Sequence, residues 1–161
     1  MDEELMAQLV SPEVHEDRCV TFRLRAPNAG AVRVQGIAAV DPQAMVKNEE
    51  GIWETTCPPL PPELYSYRFE VDGVEMIDPH NRNVKKWLSL DSMLLVPGHP
   101  PLLHEQQPVP HGTVHRHIYH SATTATDRGV YVYTPPDYAG NPDRAYPLVL
   151  LLHGYGDDES A

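Results

Sequence analysis

Leu64-Tyr65-Ser66-Tyr67-Arg68-Phe69-Glu70-Val71 sets an aromatic or aliphatic residue at every second position, Tyr65, Tyr67, Phe69 and Val71, with Ser66, Arg68 and Glu70 between them. Strand side chains point alternately to opposite faces, so this spacing predicts a strand with one buried and one solvated face. Asp72-Gly73 fits a tight hairpin turn into Val74-Glu75-Met76-Ile77. Toward the N-terminus, Val20, Phe22 and Leu24 alternate with Thr21, Arg23 and Arg25, and after the turn Asn28-Ala29-Gly30 the stretch 31–36 repeats the pattern with Val32 and Val34 inward. Ile52-Trp53-Glu54-Thr55-Thr56 resumes strand character, and Pro58, Pro59, Pro61 and Pro62 exclude a helix after it. Met45-Val46-Lys47 and the 87–96 region supply further short strands. About seven short strands separated by Gly, Pro, Asp and Asn predict a β-sandwich over residues 12–97.

The chain has 161 residues, with 12 Lys and Arg against 23 Asp and Glu and a formal charge of -11. That balance disfavours a partner with a phosphate backbone, because nucleic-acid binders gather positive charge. It leaves uncharged glycans and esters open. Cys19 and Cys57 match neither a CxxC pair nor a zinc cluster and are expected as free thiols. No cofactor motif is present: there is no P-loop, dinucleotide fingerprint, HExxH or calcium loop. His115 and His117 share a strand face while His120 falls on the other, with no acidic or thiol ligand beside them, so no metal site is expected. The acidic N-terminus lacks the apolar core of a signal peptide, and the longest apolar run is too short to cross a bilayer. A cytoplasmic location is the expectation, with secreted or periplasmic placement open should the N-terminus be incomplete.

Five prolines between Pro97 and Pro110 mark residues 98–111 as a semi-rigid connector. Beyond it, His115 to Ser121 and Gly129 to Pro136 are expected to form an antiparallel pair. Tyr146-Pro147-Leu148-Val149-Leu150-Leu151-Leu152-His153-Gly154-Tyr155-Gly156-Asp157-Asp158 then reads as a strand buried on both faces that ends in a glycine-rich loop. Such a strand requires parallel neighbours and covering helices, which the sequence given does not supply. Residues 112–161 are therefore expected to be the incomplete opening of a larger domain, with Leu148 to Leu152 left as an apolar edge.

Two resemblances follow from these residues. Arg25-Ala26-Pro27-Asn28-Ala29, Gly51-Ile52-Trp53-Glu54, Tyr65-Ser66-Tyr67-Arg68-Phe69, Val71-Asp72-Gly73 and Asp78-Pro79, in that order, resemble the family 48 carbohydrate-binding module, an immunoglobulin-like sandwich. Tyr133-Thr134-Pro135-Pro136-Asp137-Tyr138, the following Tyr-Pro, the aliphatic run and His153-Gly154-Tyr155-Gly156-Asp157-Asp158 resemble the opening of carbohydrate esterase family 1. That α/β-hydrolase group includes feruloyl and acetylxylan esterases and is similar to enterochelin esterases. The resemblance implies the N-terminal part of a serine ester hydrolase acting on feruloyl or acetyl esters of cell-wall polysaccharide. The alternatives are a carbohydrate-binding or accessory sandwich without catalysis, and a hydrolase of a siderophore.

A serine esterase needs a nucleophile, a base, an orienting acid and oxyanion donors. The resemblance assigns the Tyr155 backbone N–H as one oxyanion donor, with Gly154 and His153 structuring its loop and the Tyr155 ring facing substrate. No Gly-x-Ser-x-Gly elbow occurs in the sequence, so this chain is expected to be inactive on esters. Trp53 and Trp87 are the candidate sugar-stacking residues. Trp53 lies beside polar residues in a short strand, which leaves both a core and a sugar-facing position open to it. A polysaccharide or small ester is the expected partner, with neither nucleic acid nor membrane, and the sandwich is expected to dock on the catalytic domain.

Overall fold

The computed structural model describes residues 9–86 and 88–160. Trp87 lies outside the described residues. The chain divides into two compact units between Gln106 and Gln107, a position inside the proline-rich 98–111 stretch. Each is considered by itself.

Among the described residues the first unit carries ten strands in two sheets. One sheet runs β1 (Glu13–Val14), β2 (Val20–Arg25), β6 (Ile52–Cys57), β5 (Val46–Lys47) in spatial order. The other runs β4 (Gln43–Ala44), β3 (Val32–Gln35), β7 (Glu63–Val71), β10 (Leu90–Val96), β9 (Val84–Lys86), with β8 (Val74–Met76) also paired to β7. Every pairing is antiparallel. The nine-residue β7 is the spine of its sheet: its second half pairs with β3 and β8, its first half with β10. The β7–β8 turn has Asp72 and Gly73 both at positive φ, the geometry a two-residue type I′ connection requires. β1, β4 and β9, which the sequence reading does not predict, are edge strands of two or three residues, too short for periodicity to register.

The core is made by the alternating positions. Val20, Phe22 and Leu24 of β2 with Trp53 and Cys57 of β6 face Val32 and Val34 of β3, Tyr65, Tyr67 and Phe69 of β7 and Leu94 and Val96 of β10. The Phe22 and Tyr67 ring centroids are 4.8 Å apart across the two sheets. At about 1.5–3 kcal/mol per fully buried large side chain, this shared face is the main favourable term in the unit. Gly51 closes the β5–β6 turn at φ 77, and a Cβ there would lie 2.6 Å from that of Pro27. No L residue fits that turn without displacing backbone.

One polar cluster sits inside this apolar layer. The Asp78 carboxylate is fully buried and accepts from Ser11 Oγ at 2.6 Å, Tyr67 Oη at 2.8 Å and the His80 N–H at 2.8 Å. The Asp78 N–H donates to Ser92 Oγ at 2.8 Å, and Asn81 Nδ2 donates to both Tyr67 Oη and the Met93 carbonyl. Ser11 Oγ in turn accepts from the Arg23 N–H. The cluster thus ties the entering chain, both sheets and the 78–81 loop together at one carboxylate. Burial, reinforced by the charge of Asp78, pushes the Tyr67 phenol far above its ordinary range. Cys19 and Cys57 are free thiols, and burial raises both.

The end of the first unit is not simply extended. Glu105 Oε1 accepts from the Gly98 N–H at 2.8 Å and the Leu102 N–H at 2.7 Å, which gathers the proline-rich stretch into a loop. Those two backbone donors hold the Glu105 carboxyl below its usual range.

Among its described residues the second unit holds one hairpin, β11 (Thr113–Ser121) with β12 (Thr126–Thr134), nine residues each in a continuous antiparallel register. A loop follows, closed by the Arg144–Asp137 ion pair at 2.5 Å and by the Tyr138 and Tyr146 rings at 5.2 Å. Here the structure corrects the sequence reading. Leu148 to Leu152 form no strand, and their side chains are 78–91% exposed. No helix occurs among the described residues, so the α/β continuation is not seen. An all-apolar strand forms only between neighbours that take up its N–H and C=O groups and cover both faces. The hairpin does neither.

Candidate functional site

The sequence nominated two places for chemistry, an aromatic sugar platform on the sandwich and the loop at 153–157. In the sandwich, Trp53 is only 7% exposed. Its indole N–H donates to the Ala26 carbonyl at 2.9 Å, and Lys47 Nζ lies 5.3 Å from the ring centroid while donating to the Pro27 and Ala29 carbonyls. Trp53 is therefore a core residue with a cation over its ring, not an open stacking face. Its inward parity in β6 places it there: Leu24 is its cross-strand partner. Phe22, Tyr65, Tyr67 and Phe69 are buried as well, so none of the described sandwich rings faces solvent.

What the sandwich does present is the outer face of its six-stranded sheet. Residues of odd parity to the core, Arg33 and Gln35 on β3, Arg68 and Glu70 on β7, Glu75 on β8 and Asp91 on β10, lie side by side through the strand register. Arg33 meets Glu70 at 2.6 Å, Gln35 Nε2 donates to Glu75 at 2.8 Å, and Arg68 lies 2.8 Å from Glu75 and 3.2 Å from Asp91. Six side chains from four strands form one row of planar donors and acceptors. At the β8 side the row borders a shallow groove lined by Arg68, Glu75, Met76, Ile77, Ser89 and Leu90. Planar hydrogen-bonding groups beside apolar surface are what a sugar ring, polar at its edge and apolar on its face, requires. The sequence reading missed this row. The signal was available in the polar positions of the same alternation that located the core.

In the second unit, His153, Gly154 and Tyr155 are brought into one turn. The Asp157 N–H donates to the Gly154 carbonyl at 3.3 Å and Gly156 stands at φ 83, so Gly154 to Asp157 is a turn with a left-handed glycine at its third position. His153 Nδ1 lies 2.9 Å from the Gly154 carbonyl, and the Tyr155 ring is 85% exposed. No serine nucleophile with flanking glycines exists in the sequence to use a donor at Tyr155. On the hairpin, His115 and His117 stack at 6.2 Å and His120 pairs with Asp127 at 3.0 Å. Among the described residues no group of three metal-ligating side chains is found, and no helix is long and apolar enough to cross a membrane.

A two-sheet, all-β domain with an aromatic core and a polar outer sheet face is the class that immunoglobulin-like carbohydrate modules occupy. Residues 10–85 match the family described as Carbohydrate-binding module 48 (Isoamylase N-terminal domain), and the N-terminal domain is carbohydrate-binding-module-48-like. Similar solved structures include a candidate alpha amylase from Salmonella typhimurium, 28% identical over 53% of this chain and 14% of that one, with TM-score 0.44. The pullulanase SAP of Group B Streptococcus is 18% identical over 52% of this chain and 14% of its own, with TM-score 0.42. The enterobactin esterase FES of Shigella flexneri is 20% identical over 81% of this chain and 44% of its own, with TM-score 0.53. The chain thus spans 14% of the first of these proteins and less than half of the esterase.

Proposed function

We propose that residues 10–96 are a carbohydrate-directed accessory module that performs no catalysis and contacts polysaccharide through the outer face of the β4-β3-β7-β10-β9 sheet. One observation carries this reading: the stretch that matches the module family coincides with the sandwich whose exposed sheet face bears the Arg33, Gln35, Arg68, Glu70, Glu75 and Asp91 row. With every described sandwich ring buried, the contact is made by hydrogen bonds and the groove beside Met76 and Leu90 rather than by stacking. Weak affinity follows, in the millimolar range to which a few exposed hydrogen bonds amount. Titration of the full chain with malto-oligosaccharides and with xylo-oligosaccharides, read by amide chemical shifts, tests it. Shifts centred on β7, β8 and β10 that Arg68→Ala removes support the reading; an unresponsive sheet face in both titrations overturns it.

A second reading, that the module serves a serine ester hydrolase, draws support from the esterase fold likeness. It covers 81% of this chain, more than the sandwich alone spans. In that reading residues 112–161 open the hydrolase domain and the Tyr155 N–H becomes an oxyanion donor once a nucleophile is supplied by further residues. A feruloyl or acetyl ester of cell-wall polysaccharide is the substrate class proposed, and the sandwich docks on the hydrolase. Residues 1–161 alone hydrolyse no ester, because they contain no activated nucleophile; turnover of an acetyl or feruloyl test ester above a buffer blank would contradict this.

A further inference from the structure

The chain carries a formal charge of -11, yet one short stretch of the sandwich has the opposite sign. Arg82-Asn83-Val84-Lys85-Lys86 holds three of the 12 Lys and Arg residues, and no Asp or Glu lies between Asp78 and Asp91. Asp78 is engaged inside the sandwich by Ser11, Tyr67 and His80, and Asp91 lies 3.2 Å from Arg68. Arg82, Lys85 and Lys86 are all exposed, and among the described residues none of them has an ion-pair partner.

The strand register says where one of these charges stands. β9 pairs with β10 so that Lys85 is opposite Asp91, an outer-face member of the polar row. Lys85 therefore extends that row by one strand, across β10 from Arg68 and about two strand spacings, or about 10 Å, from it. Up to Asp91 the row satisfies its own charges: two guanidinium groups and the Gln35 amide engage its three carboxylates. Lys85 is the cation on this face that no carboxylate holds, and Arg82 and Lys86 raise the positive potential beside it. The acidity of the whole chain does not cancel this, because at physiological salt a charge acts over only about 8 Å.

We propose that the glycan taken by this sheet face is a largely neutral chain bearing isolated uronate carboxylates, with Lys85 as the contact for such a carboxylate. The proposal rests on the sheet face being the polysaccharide contact. A ring beside Arg68 and the groove meets Glu70, Glu75 and Asp91, which disfavour a further negative charge there. At β9 the same face offers a free ammonium group. A glycan with a carboxylate on every ring therefore fits less well than one with a single acidic branch. A lysine on a sheet's edge strand also discourages edge-to-edge association, but that role involves no discrimination among glycans.

The test titrates the isotope-labelled full chain, at low and at high sodium chloride, with neutral xylo- and malto-oligosaccharides and with each oligomer bearing one glucuronate. Oligogalacturonate and poly-L-glutamate are the polyanion arms. At low salt the glucuronate-bearing oligomer is expected to bind about three- to fivefold more tightly than its neutral counterpart, the gain from one exposed ion pair. It is expected to shift the Lys85 and Asp91 amides and to lose its advantage at high salt. Lys85→Gln is expected to bring the affinity ratio to one, and Lys85→Arg to keep it. Equal affinities at low salt, with the sheet face shifting in both titrations, overturn this inference and leave the polysaccharide reading standing. A ratio that Lys85→Gln does not move overturns it too. So does tightest binding by oligogalacturonate or poly-L-glutamate, which marks a general polyanion or acidic-peptide surface. A sheet face that responds to none of the oligosaccharides overturns both the inference and the reading beneath it.

Discussion

β2 and the run after Pro147 have similar raw material and opposite fates. Val20, Phe22 and Leu24 are at most 2% exposed, whereas Leu148 to Leu152 are at least 78% exposed. The run is the more apolar of the two, so hydrophobicity alone does not decide burial. β2 has paired neighbours on both sides, β1 and β6, and a facing sheet that fills the space above its inner residues. Leu148 to Leu152 have neither, and a backbone without partners stays in water.

Equal truncations in the two regions are the sharpest way to break this comparison. Phe69→Ala is expected to cost about 3–5 kcal/mol, because it opens a cavity between packed sheets. Leu150→Ala is expected to change stability by less than about 0.5 kcal/mol. Urea unfolding of the full chain measures both; similar losses would mean that the run is packed in solution. Next in size is Asp78→Ala, expected to cost about 3 kcal/mol, since Ser11 Oγ, Tyr67 Oη and the His80 N–H all lose a buried acceptor. Asp78→Asn, which keeps one acceptor oxygen, is expected to cost less.

Alkali tests the sandwich by a different route. The Tyr67 phenol is raised in the folded state, so the stability it contributes is present below the ordinary tyrosine value of about 10 and is lost as pH rises above it. The sandwich is therefore expected to lose stability above about pH 10, and Tyr67→Phe to flatten that loss. The smallest effect is local. Glu105 is depressed, so its loop is held above the ordinary carboxylate range and released as pH falls through the lowered value. Protection of the Gly98 and Leu102 amides from exchange, taken relative to the free-peptide rate at each pH, is expected to fall on acidification and to be absent at all pH in Glu105→Ala.

The sandwich was legible because its information is local. Alternation in 20–25, 32–35 and 63–71 names the inner residues directly, and the Asp72-Gly73 pair fixes one turn. Trp53 was not legible, since a short strand with polar neighbours does not reveal which face meets the other sheet; the register opposite Leu24 does. The Asp78 cluster was hidden for a related reason: Ser11, Tyr67, Asp78 and Ser92 are far apart in the chain and converge only when the sheets pack. Leu148 to Leu152 misled because an all-apolar run encodes what a strand would need, and not whether those needs are met. The polar row on the outer sheet face was written in the same β7 alternation as the core, at Arg68 and Glu70.

That row carries the functional account, and titrating the isotope-labelled full chain with malto- and xylo-oligosaccharides examines it most directly. The account predicts saturable shifts at Arg68, Glu75 and Asp91 with one of the two glycans, abolished by Arg68→Ala while the sandwich stays folded. Shifts confined to the second unit, or none on the sheet face with either glycan, would contradict it.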